Sequence, residues 1–369
     1  LAEAGFDCGN LFISDRAHLV MPHHILIDQL EERERGAAKL GTTSRGIGPA
    51  FVDKVARRGI RVVDLLDADG FRARLDVALR RARRIVEGYF GAGGPDDELD
   101  AVIRSALDPE AVAAEYLAAA ERLAPQVVDG QELVDTALRD GEHILLEGQL
   151  GTMRDIDWGI YPYVTSSSPI PGGASLGAGL PAVRIDQVLG VAKAYTTAVG
   201  SGPLPTELDD AAGERLRERG AEYGTSTGRP RRCGWYDAVA VRFSVRLAGY
   251  SAIALTKLDV LDMFETIRVC TAYRDPLSGE RWETVPADTS VYERLEPVYE
   301  DLPGWMTDTT GCRAWDELPP PARAYVERLE ELAGAPISHV SVGPERAQMI
   351  LREPGARERQ ARNVHVGSA

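Results

Sequence analysis

Five short apolar runs punctuate this sequence: "HILLEG" (143–148), "RIDQVLGVAKAY" (184–195) leading into "VGSGPLPTE" (199–207), "SAIALTKLD" (251–259), "TIRVCTAYRD" (266–275) and "ISHVSVGPE" (337–345). Each reads as a short buried strand, and most close on Gly, Ser, Thr or Lys. Helical segments separate them, which predicts an α/β fold: a single large domain with a central, mostly parallel sheet flanked by helices. Open sheets of that kind bind ligands beyond the carboxyl ends of their strands. The residues that close the runs are therefore where chemistry is to be sought.

Helical periodicity fills the stretches between. "MPHHILIDQLEERERG" (21–36) has helical spacing, with Pro22 near its start and Gly36 as a stop. Residues 71–90 alternate apolar and basic at helical period, a solvated basic face over a buried stripe. Further helices are expected over 108–123 and 131–140, with a loop at "GAGGPDD" (91–97). At 369 residues the chain can bury a substantial core, and its formal charge of −15 disfavours general attachment to nucleic acid or an anionic membrane. Any anion it binds must meet a local basic site. Cys8, Cys233, Cys270 and Cys312 are scattered and form no CxxC pair, which reads as free cytosolic thiols rather than a zinc site or disulfide scaffold. No apolar run approaches the roughly 18 residues of a membrane span, and no signal peptide is visible. The opening "LAEAGFD" reads like the middle of a helix and suggests an N-terminus further upstream.

A local basic site does occur, in "GTSTGRPRRCGW" (224–235). Thr225, Ser226, Thr227 and Gly228 offer hydroxyls and amides, and Arg229, Arg231 and Arg232 follow within four positions. A guanidinium grips a carboxylate with two parallel hydrogen bonds, so the loop suits an anion; a solvated basic turn is the alternative. In "SAIALTKLDVLD" a strand runs into Thr256-Lys257-Leu258-Asp259. The Asp carboxylate can accept from N1–H and the exocyclic amine of guanine together, which adenine cannot offer, while the Lys stem lies along the purine face. A surface Lys–Asp pair would look the same in sequence. Ser341-Val342-Gly343 closes another run, and Gly343 would let backbone amides approach a ligand, as a second wall for the base or as an ordinary loop. "KLGTTSRGIGPAF" (39–51) sets Thr42 and Thr43 in a glycine-rich turn suited to phosphate, with Arg57 and Arg58 close behind.

Taken in order, these segments resemble the adenylosuccinate synthetase family. The resemblance is carried by "RAHLVMPHHILID", "GTTSRGIGPAFVDKVARRGIRVVDLLD", "LLEGQLGTMRDIDWGIYPYVTSSS", "KAYTTAVGSGPLPTEL", "GTSTGRPRRCGWYDAVAVR", "LTKLDVLD", "PVYEDLPGW" and "APISHVSVGPER", and it covers residues 1–353, leaving 354–369 as a polar tail expected to be disordered. It implies a P-loop-NTPase-like fold and a GTP-dependent ligase. GTP phosphorylates the 6-oxygen of IMP, and the amine of L-aspartate displaces that phosphate to give adenylosuccinate. It also implies the following roles. Thr43, Gln149, Leu150, Thr165, Val199 and Arg229 meet IMP, and Arg57 reaches the IMP phosphate across a homodimer. Thr225, Ser226, Thr227, Gly228, Arg229 and Arg231 close over aspartate. Arg231, Lys257, Leu258, Asp259, Ser341, Val342 and Gly343 hold GTP. The family's phosphate loop, its catalytic Asp and His and its Mg²⁺ ligands would precede Leu1, so no residue here is assigned as catalytic or as a metal ligand. A cytoplasmic enzyme, with no nucleic-acid or membrane partner, is expected.

Several positions depart from the family's pattern. Leu150-Gly151-Thr152 stands where Gln-Gly-Thr is usual, with Gln149 one place earlier, and in an extended segment that shift turns a side chain to the other face. Trp158 replaces His, Ile160 replaces Thr, Ser168 replaces Asn and Ala198 replaces Arg. Two alternatives follow: a paralogue acting on another purine or a purine analogue, or a non-catalytic nucleotide-binding protein if the chain truly starts at Leu1.

Overall fold

A computed structural model describes residues 2–91, 97–224 and 228–352, which divide into two compact units. One comprises Leu1–Leu150 with Thr165–Arg184; the other comprises Gly151–Val164 with the chain from Ile185 onward. The expected loop at 91–97 falls largely on residues 92–96, and the polar tail on 354–369; both lie outside the described residues.

The first unit is mainly helical: Pro22–Arg35 (α1), Ile47–Val55 (α2), Ala68–Gly88 (α3), Asp97–Ala106 (α4), Pro109–Leu123 (α5), Gly130–Arg139 (α6) and Pro171–Ala178 (α7). Ile13–Ser14 (β1) and Val127–Val128 (β2) form a short parallel pair. The expected helices are present, and their limits have local causes. Pro22 sits in the first turn of α1, where a missing N–H costs nothing, and Gly36 stops the helix at φ 53°. Asp67 caps α3 by accepting from the Gly70 amide at 3.1 Å. Phe71, Leu75, Leu79, Ala82 and Val86 then fall on one buried face of α3 and pack with Leu26 and Leu30 of α1. Gly46, just before α2, has φ 76°, and a Cβ there would lie 2.7 Å from the Ile25 nitrogen. Only glycine permits so close a pass beneath α1.

The "HILLEG" segment does not follow its expectation. Residues 143–148 join no ladder among the described residues, and Leu145 is 91% exposed. An apolar run becomes a strand only when a neighbour satisfies its N–H and C=O groups, and sequence carries no record of that neighbour.

The second unit holds the helices Ala211–Arg219 (α8), Ala238–Ala248 (α9), Thr289–Arg294 (α10) and Pro320–Ala333 (α11). Its strands are Leu189–Lys193 (β3), Thr196–Ala198 (β4), Arg232–Gly234 (β5), Tyr236–Asp237 (β6), Ala252–Thr256 (β7), Thr266–Arg274 (β8), Arg281–Trp282 (β9), Glu296–Pro303 (β10), Ile337–Ser341 (β11) and Met349–Leu351 (β12). In one four-stranded sheet β3, β7 and β11 run parallel in the order β11-β7-β3, and β12 adds antiparallel beside β11. A second sheet forms around β8, with β10 and β9 antiparallel to it and β6 parallel. The α/β class is as expected, with mixed sheets. The "TIRVCTAYRD" run builds β8 and so belongs to the second sheet. Buried Ala322, Tyr325, Val326 and Leu329 of α11 pack with Ile253, Leu255 and Val340 of the first sheet.

Candidate active site

The registers bring three chain segments together at one edge. Lys193 pairs beside Thr256 and Val340 beside Leu255, so parallel β3, β7 and β11 end side by side. That carboxyl edge is where an α/β sheet presents ligand-binding residues.

Immediately after β7, Lys257 adopts φ 62°, a left-handed conformation that costs a non-glycine residue about 1–2 kcal/mol. The bend starts a short helical turn, Leu258–Leu261. It leaves the Asp259 Oδ1 oxygen buried and without a hydrogen-bond partner, and burial raises the carboxyl pKa. Arg219 fixes the turn, donating to the Asp259 carbonyl at 3.0 Å and to the Asp262 carboxylate at 3.1 Å. Leu258 is fully buried in the core, so its side chain supports the turn from behind. Across the strand ends, the Ser341 hydroxyl donates to the Gly343 carbonyl at 2.8 Å, and the buried Val342 donates its N–H to the Gln348 carbonyl at 2.9 Å. A Cβ on Gly343 would lie 2.3 Å from Gln348 Oε1.

Three cations of this unit gather on one residue that the sequence did not single out. Glu222 is fully buried. Its carboxylate accepts from Lys193 Nζ at 2.8 Å on both oxygens, Lys257 Nζ at 2.9 Å, Arg231 Nη1 at 2.8 Å and Tyr195 Oη at 2.5 Å. Burial alone would raise its pKa, but the bonds from Lys193, Tyr195 and Lys257 outweigh burial and hold it at about 2.

Around Glu222 the chain folds back on itself. Tyr223 bridges to Pro230, Gly224 N–H donates to the Arg229 carbonyl at 2.8 Å, and Arg231 N–H donates to the Glu222 carbonyl at 2.8 Å. Arg229 is exposed, as is Gly228 at φ 63°; Thr225, Ser226 and Thr227 lie outside the described residues. The three arginines therefore have different roles. Arg231 is held by Glu222, and Arg232 bonds Glu207 and the Gly202 carbonyl. Half-exposed Val199 has its carbonyl 2.8 Å from Arg154 Nη2, another residue the sequence did not single out, which also bonds the Tyr163 and Ser201 carbonyls.

In the first unit, Thr43 and Arg57 are exposed. The loop carrying Thr43 is held by two buried acids of α1, again absent from the sequence reading. Glu32 accepts the amides of Leu40, Gly41 and Thr42 at 3.2, 2.9 and 3.3 Å; Asp28 accepts from Thr42 Oγ1 and the Gly46 amide, each at 2.9 Å. The loop's amides thus point inward, and the suggestion that they cradle phosphate does not hold for these four. Thr165 Oγ1 lies 3.5 Å from Ser167 Oγ. Gln149 and Leu150 are exposed, and Leu150 has φ 78°. The alternation expected of an extended segment fails at that residue, so the argument that the neighbouring amide turns to the opposite face fails with it. Ile160 is buried with Val239, Cys270 and Tyr273, which makes it a core substitution. Trp158 is 57% exposed.

One compact set of metal-type side chains occurs among the described residues: His23, His24 and Asp53. His24 Nδ1 accepts from the Met21 amide at 3.0 Å, which places its proton on Nε2, 3.2 Å from Asp53 Oδ2. A protonated nitrogen cannot ligate, and Arg58 Nε occupies the other carboxylate oxygen at 2.7 Å. His24 and Asp53 form a hydrogen-bonded clasp between α1 and α2, while His23 Nε2 lies 3.9 Å from the same carboxylate and both its ring nitrogens are buried without a hydrogen-bond partner.

A family model described as adenylosuccinate synthetase matches residues 1–350. The chain belongs to this family. Adenylosuccinate synthetase of Heliobacterium modesticaldum is 50% identical over 350 residues, 95% of this chain and 79% of that protein. Its counterpart in Moorella thermoacetica is 49% identical over 353 residues, 96% of this chain and 79% of the relative. The fully ligated adenylosuccinate synthetase of Plasmodium falciparum superposes with a TM-score of 0.88 at 34% identity, covering 96% of this chain and 81% of the other. As a member of the adenylosuccinate synthetase family, the chain is a ligase that forms a C–N bond, with IMP, L-aspartate and GTP as substrates. No helix among the described residues is long and apolar enough to cross a membrane.

Proposed function

We propose that the carboxyl edge of β3, β7 and β11 is the GTP end of this ligase, and that the 225–231 loop is its aspartate lid. The observation that carries this reading is the buried, partnerless Asp259 Oδ1 beside Lys257. A desolvated acceptor with nothing to accept from is a cost to the free protein, and guanine supplies the two adjacent donors that remove it. Lys257 lies along the purine face, and Ser341, Val342 and Gly343 form the opposite wall. Arg229 and Arg231 take the two carboxylates of aspartate, together with Thr225, Ser226, Thr227 and Gly228, and Arg231 also faces GTP. For IMP the reading assigns Thr43, Gln149, Leu150, Thr165, Val199 and Arg229, with Arg57 contributed by the second subunit of a homodimer.

The chemistry requires a 6-oxo group to leave. Phosphorylation by GTP converts it into a competent leaving group, and the aspartate amine then displaces phosphate. These residues bind and orient the partners of that exchange and exclude water around them. Mg²⁺ prefers oxygen ligands, and the group of His23, His24 and Asp53 does not fit it. The four free thiols accord with a cytoplasmic protein. Residues 1–353 are assigned to this one activity. IMP is the favoured acceptor, because the buried position of Ile160 removes one of the substitutions that pointed to another purine.

The test is phosphate release with IMP and aspartate under GTP or ATP. Wild-type protein is expected to prefer GTP. Asp259→Asn should raise KM for GTP about 10–100-fold, the equivalent of one charge-assisted hydrogen bond, and narrow the preference over ATP. An unchanged preference would remove the guanine assignment. Arg229→Ala should raise KM for aspartate and leave KM for GTP in place.

A further inference from the structure

We infer that Glu222 is a positioning residue that couples the two substrate subsites, so that GTP and aspartate each favour the other's binding through one buried carboxylate. Glu222 is fully buried and simultaneously bonds Arg231 of the lid, at 2.8 Å, and Lys257 of the guanine wall, at 2.9 Å. It touches no substrate in this reading, and acts through the two cations that do.

The geometry makes the two cations interdependent. Lys257 Nζ is fixed by Glu222 Oε1 and by the Gly220 carbonyl at 2.5 Å, which sets the direction of the stem meant to lie on the purine. Arg231 is fixed twice by the same residue, its guanidinium by Oε2 and its amide by the Glu222 carbonyl. Lys193 and the Tyr195 hydroxyl lock the carboxylate from the third side. Three cations thus share one anion, leaving the cluster with an excess of two positive charges for incoming anions to offset. A ligand that orders Lys257 orders the carboxylate, and the carboxylate orders Arg231. Coupling of this kind is reciprocal between the two ligands.

The inference rests on assigning Lys257 to guanine and Arg231 to aspartate. Its test is equilibrium binding of GDP and of succinate, which carries the two carboxylates without the amine. In wild-type protein, saturating GDP is expected to tighten succinate binding at least fivefold, and succinate to tighten GDP equally. Glu222→Gln cannot accept from three cations and should weaken each ligand at least tenfold while bringing the coupling factor to one. Tyr195→Phe leaves the carboxylate in place, removes one of its locks and should reduce the coupling while the thermal midpoint stays high. It reads the same quantity if Glu222→Gln does not fold. Wild-type protein with no coupling, or a folded Glu222→Gln or Tyr195→Phe that retains the wild-type factor, overturns the inference. If Asp259→Asn lowers the preference for GTP while Glu222→Gln keeps the coupling, the hub alone fails. If Asp259→Asn changes nothing, the assignments beneath it fail first.

Discussion

At the scale of single residues, the site is marked by places where the folded chain tolerates a local cost. One carboxylate oxygen of Asp259, Oδ1, is buried with no donor, and burial raises the carboxyl pKa, so its ionised form opposes folding at neutral pH. Asp259→Asn should therefore raise the thermal midpoint while it weakens GTP, the opposite of what a structural residue would do. Glu222 has the reverse sign. Its folded pKa is depressed to about 2, so its contribution is fully present above the unfolded value and lost as pH falls from about 4.5 towards 2. Urea titrations across that window should show on the order of 3 kcal/mol of lost stability in wild-type protein that is missing from Glu222→Gln. Leu150 is different again, because its left-handed φ accompanies 55% exposure and no packing gain. Leu150→Gly should stabilise by about 1 kcal/mol and Leu150→Ala should not, as read by denaturant midpoints.

At the scale of elements, α1 is both a core helix and the anchor of a loop. Its Asp28 and Glu32 accept the amides of residues 40, 41, 42 and 46, and its His24 clasps Asp53 of α2. Glu32→Ala would strand three amides and should cost about 2–4 kcal/mol, measured by chemical denaturation. The same clasp makes α1 sensitive to mild acid. Burial lowers the His23 pKa below the usual 6.5, so the unfolded chain takes up a proton first, and stability falls as pH drops through and below that value. Asp53 and His24 face His23, with Arg58 held on Asp53, and their charges do not reverse that sign. His23→Phe should flatten the decline in melting temperature between pH 7 and pH 5. The sequence disclosed α1 and α3 because apolar spacing and end residues are local facts. It gave no notice of Glu222, two residues before "GTSTGRPRR", because the meaning of a glutamate there comes from Lys193 and Lys257, at the ends of strands distant in sequence. The lysine closing β3 could have been found by the strand-end rule already applied to Lys257.

At the scale of the whole molecule, the chain's negative charge hides a local excess of the opposite sign, and the strand ends at Lys257–Asp259 and Ser341–Gly343 were legible because a parallel sheet exposes them by construction. The guanine assignment falls entirely within the second unit. Saturating GTP should therefore slow amide exchange in β7, the 258–261 turn and β11 by the equivalent of about 2.7 kcal/mol at a hundredfold excess over Kd. IMP should add protection around residues 40–46 of the first unit and around Val199 of the second, and leave the 258–261 turn and β11 as they were. Exchange mapped by mass spectrometry separates the two patterns, and equal protection everywhere would contradict the division of labour. The strand expected at 143–148 shows the limit of sequence reading at this scale, since pairing is a property of two segments.

That same segment bears on how the protein behaves in a tube. An open apolar stretch with Leu145 facing water is expected to pair with its like in another molecule as concentration rises. Replacing Leu145 with lysine should cut light scattering on concentration and leave turnover where it was.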